Sequence, residues 1–134
     1  MIELIDVYQP LFDNKMRILY ELLQEREPYQ SISHKEMPIF EQHQQFVYGV
    51  PYQYWYLASY KDVVIGSIYL TRRREIGVHI YKQFQGQGYG EKTVKALMDK
   101  YPGKFLWNAN PKNEASIKLV EKLGGKILQW TYEL

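Results

Sequence analysis

The sequence predicts an α/β chain built as one mixed, mostly antiparallel sheet with helices on its faces, and three observations carry that expectation. Residues 53–81 alternate with period two, whereas the stretches on either side repeat apolar residues at i, i+3, i+4 and i+7. The joints between the middle strands are only a few residues long, and the connections after residue 90 are long enough to be crossover helices.

Taken in order, the elements read β-α-α-β-β-β-α-β-α-β. From Asp13 to Glu27, Met16, Leu19, Tyr20 and Leu23 form one apolar stripe, and Pro28 ends it. Pro38 is suited to the first turn of a second, short helix in which Ile39, His43 and Phe46 share a face. Strands follow at Gln53–Ser59, Val63–Leu70 and Glu75–Tyr81, joined by "YKD" and "TRRR". Val94, Leu97, Met98 and Tyr101 mark an amphipathic helix that Pro102 and Gly103 stop, and "KFLWN" is a short buried strand. Asn113 caps the last helix, whose inward positions are Ile117, Val120 and Leu123 and whose stop is Gly124-Gly125. "KILQWTYEL" is expected as a closing strand.

The bulk properties bound the function. A length of 134 residues suits one domain, here 1–134, with one active site. The net charge of +2 and the scattered basic residues argue against nucleic acid as a partner. Without cysteine there are no disulfides, thiolate nucleophiles or thiolate metal sites, and the three histidines lack ligand spacing, so no metal is expected. Neither a signal peptide nor an 18-residue apolar run is present, which predicts a cytoplasmic chain without a membrane partner.

The stretch "QFQGQGYG" has three glycines at alternate positions and runs directly into a helix. Such a turn is an anion site, because unpaired backbone N–H groups and the helix dipole point at its occupant. The dinucleotide fingerprint G-x-G-x-x-G fails, since the third glycine comes one place early and no acid follows about 20 residues on. A Walker loop fails because Glu91 separates Gly90 from Lys92-Thr93. The pattern Gln/Arg-x-x-Gly-x-Gly/Ala is met at every fixed position by Gln85, Gly86, Gln87, Gly88, Tyr89 and Gly90.

On this loop, the preceding "EIGVHIYK" and the later "NPKNEASIKLVEKLGG", the chain resembles the GCN5-related N-acetyltransferases (GNAT) from Ile65 to the C-terminus. The resemblance implies that fold, with about six to seven strands, about four helices and splayed fourth and fifth strands. It implies acetyl-CoA as acyl donor, with its pyrophosphate on the glycine loop and its pantetheine arm near Asn113 and Ser116. It further implies that strand amides at His79, Ile80 and Tyr81, with Asn108 on the facing strand end, align the thioester. Glu75 resembles the glutamate that histone-type members use as base. Alternation puts it on one face with Gly77, His79 and Tyr81, so Glu75 and His79 are the candidate catalytic pair. Many members carry a tyrosine acid where this chain has Val120, so Tyr89 or a water would have to take that part. The alternative for Glu75 is a surface pair with Arg72-Arg73-Arg74.

Thirteen tyrosines and three tryptophans are the compositional oddity. Clustered aromatics suit either core strands or a ligand cleft, and Tyr54, Trp55 and Tyr56, with His34, are the candidate acceptor-binding residues. The segment around "ISHKE" is similar to acetyltransferases acting on nucleotide-linked 4-amino sugars, which makes an amino-sugar nucleotide the favoured acceptor. A protein N-terminus, a polyamine, or CoA binding without turnover are the alternatives, in a monomer or a homodimer.

Overall fold

The computed structural model describes residues 1–26 and 36–134, so the expected acceptor residue His34 lies outside the described residues. Within them the chain forms β1 (Ile2–Asp6), α1 (Asp13–Gln24), α2 (Phe40–Tyr48), β2 (Tyr54–Tyr60), β3 (Val63–Leu70), β4 (Glu75–Ile80), α3 (Tyr89–Lys100), β5 (Leu106–Trp107) and α4 (Glu114–Lys122). A turn of 3-10 helix, Lys82–Phe84, links β4 to the glycine loop. The five strands make one sheet in the order β1-β2-β3-β4-β5, antiparallel throughout except for the parallel pair β4 and β5.

Each sheet face is covered by different helices, and strand alternation sorts the side chains between them. Trp55 and Leu57 pack with Val7, Met16, Leu19 and Val47 on the side of α1 and α2. Tyr56, Ile68, Leu70 and Ile76 pack with Val94 and Leu97 on the side of α3. Since Ile76 faces α3, the alternate residues Glu75, Gly77 and His79 face α1 and α2.

Two expectations fail in the second half of the fold. Among the described residues the sheet has five strands rather than about six to seven, and the residues after Gly125 form none. Gly124 turns the chain at φ +89°, and "KILQWTYEL" beyond it pairs with no strand. Ile127, Leu128, Trp130 and Tyr132 are accordingly exposed. The second helix starts at Phe40 rather than Pro38, which leaves Ile39 outside it as the N-cap; its buried residues are His43 and Val47, while Ile39 and Phe46 are exposed.

The splay of β4 from β5 has a local cause. Their pairing covers only Glu75 with Leu106 and Ile76 with Trp107. Directly afterwards the Asn110 side chain accepts from the Lys112 amide at 2.9 Å and the Asn110 carbonyl from the Asn113 amide at 2.8 Å. This asparagine turn swings the chain away toward α4. The rest of β4 is left without a partner on that side.

Candidate active site

A cleft of about 610 Å³ runs through the gap between β4 and β5, within the range of small-molecule sites. At its α3 end it is lined by Gly86, Gly88, Tyr89 and Gly90 of the loop and by Asn113 and Ser116 of α4. At its α1 end it is lined by Arg26, Ser67, Tyr69, Thr71, Glu75 and His79.

The loop end is built for an anion. Gly86 and Gly88 sit at φ +78° and +85°, a region costly for any side chain, and no atom lies within 4 Å of where a Cβ would be. Glycine is therefore required there by backbone conformation, not by crowding. Gly88 is the N-cap of α3 and supplies no side-chain cap, so the amides of Tyr89, Gly90 and Glu91 have no intrahelical acceptor and face the cleft. Glu91 is tied to Lys95 at 2.9 Å and Lys122 at 2.8 Å, and these two ammonium groups hold its carboxyl down at about 2. The carboxylate that spoils a Walker loop is thus matched by lysine charge.

Around the loop, polar side chains hold the scaffold. Gln85 donates from Nε2 to the Ile80 carbonyl at 2.9 Å, fixing the loop to the end of β4, and Gln87 folds back onto the Gln83 carbonyl at 3.3 Å. Asn113 accepts from the Ser116 amide at 3.2 Å as the N-cap of α4, worth about 1 kcal/mol. The Ser116 hydroxyl in turn accepts from the Trp107 indole at 2.9 Å, pinning β5 to α4 at the mouth of the splay.

Register decides which strand amides are free. Thr71 donates to the Glu75 carbonyl and Tyr81 to the Ile65 carbonyl, each at 2.9 Å, so residues 75, 77, 79 and 81 spend their backbone groups on β3. Residues 76, 78 and 80 face the other way, and beyond Ile76 no described strand meets them there. The amides of Val78 and Ile80 therefore open into the gap. This corrects the expectation for His79 and Tyr81: their amides belong to the sheet, and the Tyr81 hydroxyl donates to Glu21 at 3.0 Å, away from the cleft. Val78, not singled out in the sequence, has its amide on the gap side instead.

At the α1 end, Glu75 accepts from Asn108 Nδ2 at 2.6 Å and from the Thr71 hydroxyl at 3.1 Å. Two of the three neighbouring arginines are occupied elsewhere: Arg72 donates to the carbonyls of Val50 and Pro51, and Arg74 to those of Tyr101, Pro102 and Lys104. Glu75 is held by neutral donors in the cleft and not as a surface ion pair. His79 lies two residues along on the same face, with Nε2 buried and unpartnered. Burial, reinforced by the charges of Arg26 and Lys82, lowers it to about 4, so it is neutral at pH 7.

The aromatic triplet is structural. Trp55 and Tyr56 are each 6% exposed and belong to the two cores, the Tyr56 hydroxyl is hydrogen-bonded to that of Tyr101, and the Tyr54 ring stacks on Tyr101 at 4.0 Å. None of the three lines the cleft. The aromatic side chains that do line it are Tyr69, Phe84, Tyr89 and Trp107. Arg26, Ser67, Tyr69 and Thr71 were missed in the sequence; alternation on β3 opposite Glu75, Gly77 and His79 is the signal that finds the last three.

The cleft thus carries helix-start amides at one end and a hydrogen-bonded carboxylate at the other. The model of the Acetyltransferase (GNAT) family matches residues 16–125, and the chain belongs to this family. It is an N-acetyltransferase with acetyl-CoA as donor. Among solved structures, a domain from Methanocaldococcus jannaschii is similar with 20% identity and a TM-score of 0.80, covering 99% of this chain and 93% of that one. The ribosomal L7/L12 α-N-protein acetyltransferase RimL, in complex with coenzyme A, has 18% identity and a TM-score of 0.72, with 90% and 77% covered. The protein yncA from Salmonella typhimurium, with its cofactor acetyl-CoA, has 18% identity and a TM-score of 0.65, with 92% and 78% covered. At these identities the likeness is one of fold. No curated protein sequence matches the chain. Among the described residues, no group of His, Cys, Asp and Glu is placed to hold a metal, and no helix is long and apolar enough to cross a membrane.

Proposed function

We propose that this acetyltransferase acylates the primary amine of an amino-sugar nucleotide by direct attack of the amine on the thioester. The observation that carries the reading is the cleft through the β4–β5 gap, which lets donor and amine meet in line from opposite faces of the sheet.

On the donor side, the amides of the glycine loop and α3 would hold the pyrophosphate, and those of Val78 and Ile80 would bond the pantetheine arm and the thioester carbonyl. Bound acetyl-CoA supplies an acyl carbon already activated toward amines. On the other side, Glu75 takes the amine proton, directly or through a water, while Asn108 and Thr71 hold its carboxylate in one orientation. His79, neutral and buried, contributes a polar wall without adding charge.

The acceptor class rests on what lines the α1 end. The hydroxyls of Ser67, Tyr69 and Thr71 suit a polyhydroxylated ring, and the guanidinium of Arg26 suits a phosphate. The same cation disfavours a polyamine.

Thiol release from acetyl-CoA against a panel of amines tests the reading. Turnover is expected with 4-amino-sugar nucleotides. Turnover confined to peptide N-termini or to polyamines would overturn the acceptor class, and CoA binding without turnover on any amine would overturn the enzyme reading.

A further inference from the structure

On the sheet face at the α1 end of the cleft, Ser67 of β3 stands opposite His79 of β4, and Tyr69 opposite Gly77. A Cβ built on Gly77 would fall 2.0 Å from Tyr69 Cζ and 2.3 Å from both its Cε2 and its hydroxyl oxygen. Equal distances to the two atoms flanking Cζ put that point over the face of the ring, so Tyr69 lies flat across the bare backbone of Gly77. Tyr52 covers the other face, with ring centroids 3.8 Å apart and planes 3° apart. Tyr52 is itself held by the Tyr8 hydroxyl, which donates to its carbonyl at 3.0 Å and accepts from its amide at 3.2 Å. With both faces covered, Tyr69 offers the cleft only its edge and its hydroxyl.

From this placement we infer that Tyr69 is the residue that selects the acceptor: its hydroxyl donates to an oxygen on the carbon next to the one bearing the amine, so the preferred acceptors are vicinal amino alcohols. Gly77 is glycine in order to admit the phenol. The inference rests on the acetyltransfer reading above and narrows its acceptor class. Residues two apart on a strand are about 6.5–7 Å apart, so a hydroxyl over Gly77 stands one such step from Glu75. An amine at the Glu75 carboxylate and a hydroxyl on the adjacent carbon, each making a hydrogen bond of about 2.7–3.0 Å, span that step.

The direction of the Tyr69 proton supports this. Burial raises both phenols, and the hydrogen bond between them raises Tyr52 while lowering Tyr69, as when Tyr52 donates and Tyr69 accepts. The proton of Tyr69 is thereby turned away from Tyr52. The other hydroxyls are less suited. Thr71 donates to the Glu75 carboxylate and accepts from the Arg73 and Glu75 amides. Ser67 stands one residue pair further from Glu75. A plain alkyl amine would leave the Tyr69 hydroxyl unmatched, which is how such a site rejects an analogue that lacks the oxygen.

Kinetics with a 4-amino-sugar nucleotide and with its deoxy analogue lacking the hydroxyl next to the amine test the inference. In the wild type, kcat/KM should be at least about 100-fold higher with the hydroxylated amine. In Tyr69→Phe, which keeps the ring and its stack, that ratio should fall to within about tenfold, with CoA affinity unchanged by calorimetry. An equal ratio in variant and wild type, or a wild type indifferent to the hydroxyl, overturns the assignment. Gly77→Ala, which drives a Cβ into the ring, should raise KM for the acceptor and leave CoA affinity alone; an unchanged KM overturns the role of the glycine. If only peptide N-termini are acetylated, the sugar reading fails, and Tyr69 is decided on peptides opening with serine against alanine, where equal rates overturn it. Turnover confined to polyamines, which bear no oxygen, overturns both. If no amine turns over, binding of the two sugars to the CoA complex decides Tyr69, and no preference overturns it.

Discussion

Asn108 Nδ2 donates to Glu75 Oε2 at 2.6 Å, joining the end of β5 to the start of β4 at the one place where the two strands still pair. The contact ties the end of β5 to the carboxylate at the α1 end of the cleft. A charge-assisted hydrogen bond of this length fixes the carboxylate in one orientation. Glu75→Gln, nearly isosteric, should therefore lower kcat about 100-fold while leaving CoA affinity unchanged. Asn108→Ala should lower kcat less, without changing the amine specificity. Steady-state kinetics together with CoA titration check both; unchanged kcat in Glu75→Gln would remove it as the base.

Gly88 bears on binding in a different way. Its positive φ and open surroundings mean that Gly88→Val strains the loop without colliding with the protein. Holding a non-glycine residue in the left-handed conformation costs about 1–2 kcal/mol, and the new side chain also screens the α3 amides. CoA affinity should drop at least about tenfold, with a near-normal circular dichroism spectrum. Unchanged binding in calorimetry would count against the loop as the phosphate site.

His79 predicts a pH dependence of stability. Its folded value of about 4 lies below the ordinary 6.5, so between those values the unfolded chain binds the proton that the folded chain refuses. Stability attributable to His79 is thus full above pH 6.5 and is lost as pH falls toward 4, by about 3 kcal/mol at most. Urea unfolding of wild type and His79→Gln from pH 7 to 4 should show a shallower acid loss in the variant. His43, also lowered by burial, is present in both proteins and cancels in the comparison.

Trp55 predicts an effect on stability rather than on specificity. At 6% exposure within the core beside α1 and α2, Trp55→Ala should cost about 3–5 kcal/mol. KM for the amine should stay within experimental error at a temperature where the variant remains folded. A selective rise in KM would restore the aromatic triplet as an acceptor platform.

Glu91 predicts a salt-dependent change in donor affinity. Replacing it with Gln leaves Lys95 and Lys122 uncompensated beside the loop amides. CoA binding should tighten at low ionic strength, and the gain should fade as salt is raised. Titrations at two salt concentrations measure this.

The amino-acid sequence by itself determined the parts that depend on local stereochemistry. Gly86 and Gly88 require positive φ, Asn113 requires a helix start, and alternation from Glu75 to His79 sets their common face. Those rules act within a few residues, so the anion loop, the cap and the polar face were all legible in the sequence. Only the tertiary structure decided the rest. Whether the amides of 78 and 80 or those of 79 and 81 open into the gap depends on the register of β4 against β3, which shifts with one residue of slip. That Asn108 meets Glu75, 33 residues earlier, and that Tyr69 crosses Gly77 on the neighbouring strand follow from separate strands coming into contact. The closing segment makes the same point in reverse: its alternation is strand-like, but a strand exists only where a partner edge accepts its hydrogen bonds, and the segment pairs with no strand.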